Sequence, residues 1–315
     1  MDQLIFSLNA TVPLFLMMLL GFILRQIGMF DDNFVKKLNT FNFKVTLPVL
    51  LFTDISSSNF LSVWDTKYVL FCFFVTLFCI LCLWFVGSLF IDKKGDLGEF
   101  VQGSYRSAAA TLGIAFTTNI YGDSGMGPLM IIASVPLYNI AAVLILSFSG
   151  PSGGSLDKKA LKGSLLGVLK NPILIGIFTG IAASLINLRF PPMLDKAVNN
   201  VAVLSSPLTL IGLGASFEGA KAVKKIAPTL ASSFIKLVLW PGIFVPLALL
   251  LGFRNESLIG IVTLVGLPTT ASSFVMAKSM GHDGVLTSSI VVVTTFLCPF
   301  TLTVILYILK TMGAI

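Results

Sequence analysis

The residues in this chain best placed for chemistry are hydroxyls gathered behind a proline. Gly266-Leu267-Pro268-Thr269-Thr270-Ala271-Ser272-Ser273 interrupts a run from Leu258 to Ala277 that is otherwise apolar. Proline lacks the backbone donor and clashes with the preceding turn, so Gly-x-Pro predicts a broken or kinked helix. In hydrocarbon such a break frees N–H and carbonyl groups that must find partners. Thr269, Thr270, Ser272 and Ser273 can supply some of them and a bound solute others, and broken helices at mid-membrane mark transport sites. The plainer reading, a kinked helix packed by small residues, stays open on this stretch alone. Other reactive groups are sparse. Cys79-x-x-Cys82 has the spacing of a redox or metal pair but lies in an apolar helix, where packing is expected. His282 is the single histidine, in a short loop, and makes no metal site alone. No Ser-His-Asp, His-Glu-x-x-His or P-loop pattern occurs, so no catalytic residue, metal or cofactor is expected and the chain does not read as an enzyme.

The elements that must position these residues are membrane spans. Only 11% of the 315 residues are charged and 56% are hydrophobic, where a soluble domain carries roughly a quarter charged. The net charge of +7 does not indicate a nucleic-acid partner, because the basic residues sit in short loops between apolar spans; the partner is the lipid bilayer. At about 20 residues per span the hydropathy predicts ten, near 4–27, 33–53, 66–91, 99–120, 126–149, 165–187, 194–217, 226–252, 257–278 and 285–310. The first is too long for a signal peptide and lacks a preceding basic segment, so it is expected to remain. Thirteen Lys and Arg fall in loops on one side. Five (Lys67, Arg189, Lys196, Arg254, Lys310) fall on the other, and Lys44, Arg106 and Lys236 inside spans complete the 21. The richer side is then cytoplasmic and both termini are extracytoplasmic, in a multi-pass protein of the cell membrane.

An internal repeat divides these spans. Pro13/Pro172, Gly21/Gly180, Pro48/Pro207, Ser57/Ser216, Gly122/Gly281 and Gly125/Gly284 all share an offset of 159. Five spans per half is odd, so the second copy is inverted relative to the first, as in many secondary transporters. The halves are 1–149 and 165–315, joined by a linker over 150–164 that begins Gly150-Pro151-Ser152-Gly153-Gly154-Ser155. Gly113-Ile114-Ala115 in the fourth span is the counterpart of Gly266-Leu267-Pro268, at a local offset of 153.

Ionisable and amide side chains inside spans carry two readings each. Arg106 either snorkels to the headgroups or balances an anion. Lys44 lies nearer mid-span, where snorkelling is harder, and Lys236 favours snorkelling. Asn39, Asn42 and Thr46 share a helix face and serve as interhelical glue or cavity lining. Asn139, beside Pro136 and Tyr138, packs helices or touches solute. Asp54 and Glu218 close spans and read as interfacial.

Several stretches resemble the auxin efflux carrier family. They are Val12-Pro13-Leu14, Leu47-Pro48-Val49-Leu50-Leu51-Phe52, Asn171-Pro172-Ile173-Leu174-Ile175 and Pro207 to Ser216. Pro268-Thr269-Thr270-Ala271-Ser272-Ser273-Phe274 and Ser289 to Thr295 complete the likeness, which covers nearly the whole chain. The short loops are similar to bacterial malate and malonate permeases, and the helical plan to bile-acid sodium symporters. The resemblance implies an all-α protein of ten helices in two inverted halves. Spans 1, 2, 6 and 7 would form a scaffold and 3–5 with 8–10 a moving domain, in which interrupted spans 4 and 9 cross at the substrate. One departure stands out: where the family carries asparagine and proline in the fourth span, this chain has Ala108 and Ala115. Gly113 is kept, and Thr111, Thr117 or Thr118 is left to compensate.

The expected function is alternating-access transport of a small organic anion, a mono- or dicarboxylate such as malate or malonate. The expected contacts are Gly266, Pro268, Thr269, Thr270, Ser272, Ser273, Arg106, Ala108, Thr111, Gly113, Asn139 and Lys44. Half-helix N-termini would help to balance the negative charge. A sodium-coupled symporter, a non-transporting sensor and, more weakly, a channel are the alternatives. A homodimer through the scaffold follows from analogy with other moving-domain carriers.

Overall fold

The computed structural model describes residues 2–57, 64–91, 94–121, 125–150 and 170–315, with the side chains at 2–11, 94, 110, 111, 114, 115, 118 and 119 excepted. The predicted linker past Gly150 and the side chains of Thr111, Ala115 and Thr118 lie outside that description. Every regular element among the described residues is helical. In a bilayer this follows from the backbone, which finds no water for its polar groups and satisfies them within the segment. The helices are α1 Asp2–Gln26, α2 Asp32–Phe41, α3 Leu47–Ser56, α4 Thr66–Phe90, α5 Lys94–Tyr105, α6 Ile114–Tyr121 and α7 Gly127–Ser149. After them come α8 Pro172–Leu185, α9 Pro192–Ala215, α10 Gly219–Lys224, α11 Ile226–Phe234, α12 Trp240–Leu250, α13 Asn255–Gly266, α14 Ser272–Ser279 and α15 Val285–Thr311.

Five stretches are continuous, long and apolar enough to cross a membrane: α4, α7, α9, Ile226–Leu250 and α15. Val12–Gln26, α8 and α13 are shorter apolar helices. Burial sorts the long ones. Only 33% of the most apolar window of α4 is buried, against 72% for α7, so α4 is peripheral and shows Phe74, Phe78, Leu81, Phe85 and Phe90 outward. The chain is a multi-pass helical membrane protein.

Among the described residues three π-helical turns occur, over Asn42–Thr46, Ala109–Gly113 and Ile235–Leu239. The first and third precede Pro48 and Pro241, which cannot donate to the carbonyl four residues back, and a widened turn relieves that clash. The first joins α2 to α3 and the third joins α11 to α12 without a break.

Packing forms two sets of contacts. α1 lies along α9, α3 along α8, and α9 against α3; α4 packs on α5 and α7, α12 on α13, and α11 on α15. α1 also runs beside α15, linking the sets. Close approach depends on small residues: a Cβ on Gly214 would fall on the Met18 carbonyl, and one on Gly21 on the Ile211 carbonyl. Asn42 ties α2 and α3 to α9. Its Nδ2 donates to Thr209 Oγ1 at 2.5 Å, and its Oδ1 accepts from Thr46 and, at 3.3 Å, from Ser205 Oγ. Asn42 and Thr46 are thus glue between helices, and Asn39 Nδ2 likewise reaches Ser216 Oγ at 3.4 Å.

One end of the bundle is closed by polar clasps. Glu99 is buried and accepts from Gly284 N, Thr287 N and Thr287 Oγ1 at 2.8–2.9 Å, completing the start of α15. His282 is also buried, with its ring nitrogens 3.1 and 2.9 Å from the Gly95 and Leu146 carbonyls. Lys225 bridges Asp96 and Asp283 at 2.9 and 2.8 Å. Burial pulls the Lys225 ammonium down, but its bonds to Asp283 and Asp96 win and hold its pKa above the ordinary lysine value.

Gly214→Val tests the packing of α1 on α9. Overpacking a tight contact costs about 1–3 kcal/mol, so the variant is expected to melt earlier in detergent than the parent, read by thermal unfolding; an unchanged melting temperature would remove this contact as a constraint.

Candidate functional site

The ninth predicted span is two helices. α13 runs to Gly266, and the backbone turns extended at Leu267 (φ −73, ψ 157) before re-entering helix at Ser272. The residue before a proline is excluded from helical angles by the ring, and that places the end at Leu267. A helix end leaves orphan carbonyls, and here each finds a donor. Thr263 O accepts from Ser107 Oγ at 3.0 Å. Leu264 O and Val265 O both accept from Lys236 Nζ at 3.1 Å. Gly266 O faces Cys298 Sγ at 3.6 Å.

Lys236 therefore does not snorkel, contrary to the sequence-based expectation. It is 1% exposed, and its ammonium meets the negative end of α13, where a cation is stabilised by the helix dipole. It lies in the Ile235–Leu239 π turn.

The fourth predicted span is also interrupted. α5 ends at Tyr105, residues 106–108 are irregular, and a π turn leads into α6. The two interruptions touch: Ala108 N donates to Pro268 O at 2.9 Å, and Thr269 Oγ1 donates to Gly103 O at 2.6 Å. Thr269 N donates to Thr294 Oγ1 at 3.2 Å, tying the same segment to α15. Trp240 Nε1 donates to Ser104 O at 3.1 Å, so the end of α5 is capped as well.

Arg106 lies in the first interruption and is 1% exposed. Its Nη2 donates to Asn139 Oδ1 at 2.8 Å and to Ser272 Oγ at 3.0 Å, and its Nη1 lies 2.6 Å from Met276 Sδ. The guanidinium carbon sits 5.4 Å from the Tyr138 ring centroid, a cation–π distance. Nε has no hydrogen-bond partner, and no ion pair among the described residues includes Arg106. Its side chain is thus directed into the protein.

A cavity of ≈ 100 Å³ opens beside Arg106. One wall is Ser107, Ala108, Tyr138, Asn139, residues 268–272 and Thr295; the other comes from α1, α3, α8 and α9, including Leu51, Asp54, Ile173 and Thr209. Of the residues named from sequence, Arg106, Ala108, Asn139, Pro268, Thr269, Thr270 and Ser272 line it. Four others do not. Gly266 packs near Leu302 and Pro241, and Gly113 near Thr263 and Met130. Ser273 Oγ turns back to the Thr270 carbonyl at 2.6 Å. Lys44 is exposed on the outer face of its π turn, not in the cavity.

Asp54, at the end of the second predicted span, is part of the wall. A signal was available: Leu47, Leu51 and Asp54 stand at i, i+4 and i+7, one helix face, and that face looks inward. Tyr138 and Thr209 were missed as lining residues, because tertiary packing alone brings α7 and α9 to the same space. The cavity lining holds the Arg106 guanidinium, the Asn139 amide, the Asp54 carboxyl and several hydroxyls, and Ser272 opens α14, whose positive end adjoins the space.

An all-helical span set with an interrupted-helix cavity defines a class, the polytopic membrane transporters. More narrowly, a profile of the family described as "Membrane transport protein" matches residues 6–306, and the chain belongs to that auxin efflux carrier-like family. It is 24% identical over 282 residues to "Uncharacterized transporter YfdV" of Escherichia coli, covering 88% of this chain and 89% of that one. It is 23% identical over 312 residues to a Rhizobium meliloti protein named "Putative malonate transporter", covering 95% and 94%. A Methanothermobacter thermautotrophicus transporter is 23% identical over 305 residues, covering 92% and 94%. It is a transport protein, not an enzyme.

Lys236→Met leaves the Leu264 and Val265 carbonyls buried without a donor. Unsatisfied groups cost about 1–3 kcal/mol, so the purified variant is expected to unfold at clearly lower temperature; equal stability would show that the ammonium does not hold α13.

Proposed function

We propose that this protein is a secondary transporter of a small organic anion, of the mono- or dicarboxylate class that includes malonate and malate. The observation that carries the reading is Arg106, a buried guanidinium beside a cavity and with no ion pair of its own among the described residues. A charge out of water is stable only when compensated, and a carboxylate substrate supplies the missing partner. The printed name of the Rhizobium meliloti relative points to the same substrate class.

In this reading ten spans form two inverted halves, with both termini outside. α1–α3, α8 and α9 act as scaffold, and α4–α7 with α11–α15 move as the carrier, the solute riding where the interrupted spans cross. The backbone bond from Ala108 to Pro268 supports the crossing. The repeat is supported by reciprocity. Gly21 packs its α-carbon on α9, and Gly180, its counterpart at the shared offset, packs on Phe52 of α3. Gly125 and Gly284, another such pair, both take positive φ, +46 and +71.

The sodium-coupled alternative needs backbone carbonyls free to hold the ion at the breaks. At the end of α13 the Lys236 ammonium takes Leu264 O and Val265 O, which leaves an ion poorly provided there.

The test is melting of the purified protein against malonate, malate, succinate, lactate and indole-3-acetate, each with sodium or choline. A ligand at a hundred times Kd stabilises by about 2.7 kcal/mol, so one acid is expected to raise the melting temperature in either salt. Arg106→Gln should weaken that acid by roughly 30-fold or more, since truncating one partner of a buried charge pair costs about 2–5 kcal/mol. Unchanged affinity would remove Arg106 from the site. Pro268→Leu should abolish uptake into proteoliposomes while melting near the parent; normal uptake would remove the interruption from the mechanism.

A further inference from the structure

The cavity of the anion site holds a carboxylate as well as a guanidinium, on opposite walls. Asp54 belongs to the last turn of α3 and Arg106 to the interruption after α5, and both line the same ≈ 100 Å³. Tyr138 of α7 is the third ionisable side chain on the lining. Among the described residues, the elements that complete the walls, α1, α8, α9, α15 and residues 268–272, contribute only apolar, proline and hydroxyl side chains to the lining. An anion held by Arg106 thus shares a small space with the Asp54 carboxyl. Two negative charges confined together at low dielectric do not both stay ionised, and one takes up a proton. The substrate is held in its ionised form by the guanidinium, so the proton falls to Asp54.

We propose that Asp54 is a proton-coupling site, so that binding of an organic anion at Arg106 is accompanied by uptake of one proton onto the Asp54 carboxylate. The step balances simply: one oxygen of the ionised carboxylate gains a proton from the bathing solution, and that proton is released when the anion departs. Asp54 belongs to α3, on the scaffold side in the reading above, so the proton is bound and released at the wall and is not carried on the moving helices. The inference rests on the anion reading above and adds a linked proton to it. Asp54 also stands on the wall opposite the interruptions, so the proton and the anion are held by different sets of helices.

The test is calorimetric titration of malonate into the full chain in detergent, between about pH 7 and 9, where malonate itself is essentially fully ionised. Each titration is run in two buffers of different ionisation enthalpy, so that the heat counts protons. The wild type is expected to take up close to one proton per malonate at the alkaline end, with Kd rising toward about tenfold per pH unit above the carboxyl's midpoint, because only the protonated fraction is competent. Asp54→Asn is expected to bind with a Kd independent of pH and without proton uptake. Wild-type binding with a flat Kd and no buffer-dependent heat would overturn the proton role while leaving the anion site standing. Persisting pH dependence in Asp54→Asn would also overturn it. If that variant does not fold, the wild-type proton count decides alone. Absence of malonate, malate and succinate binding at every pH would overturn the anion reading itself, and this inference with it.

Discussion

A helix that stops inside hydrocarbon leaves carbonyls that no solvent will take, and the centre of this protein is organised around satisfying those of α13. Four donors converge on its last turn from three stretches of chain: Ser107 with, just beyond, the Ala108 amide; Lys236 (one ammonium serving two carbonyls); and Cys298. Closing the break therefore also fixes the end of α5, α11–α12 and α15 relative to one another. The proline that creates the problem therefore specifies the packing that solves it. Lost donors at such a place are expensive, since a buried unpaired polar group costs about 1–3 kcal/mol.

The same break separates charge. The negative end of α13 is met by Lys236, while the positive end of α14 and the guanidinium of Arg106 adjoin the cavity. The cations are not interchangeable. A compact ammonium suits two adjacent carbonyls, whereas the planar fork of arginine holds Asn139 and Ser272 and stays free at Nε.

What was legible in the sequence follows from how local each cause is. The interruption at Leu267 is dictated by the adjacent proline, so Gly-Leu-Pro predicted it to the residue. The polar face of Asn39, Asn42 and Thr46 was readable from helical spacing, although only the structure names Ser205, Thr209 and Ser216 as partners. Composition established a multi-pass helical protein, and the family motifs hold across residues 6–306. Lysines were the failure. Lys44 and Lys236 both sit in π turns ahead of a proline, yet one faces outward and the other is buried. A π turn adds a residue and shifts the register, so hydropathy position cannot say which way such a side chain points. The cavity, built from segments of both halves, has no signature in any one of them.

Two cations buried near one break have an electrical consequence. Arg106 and Lys236 place two positive charges beside the break, and moving a charge through a membrane potential involves about 2.3 kcal/mol per elementary charge per 100 mV. If this region travels through the field, the empty protein senses the resting voltage through both charges. With a dicarboxylate aboard the sum falls to zero, and the loaded step becomes voltage-blind. The membrane potential would then act on the return of the unloaded carrier and not on the passage of its cargo.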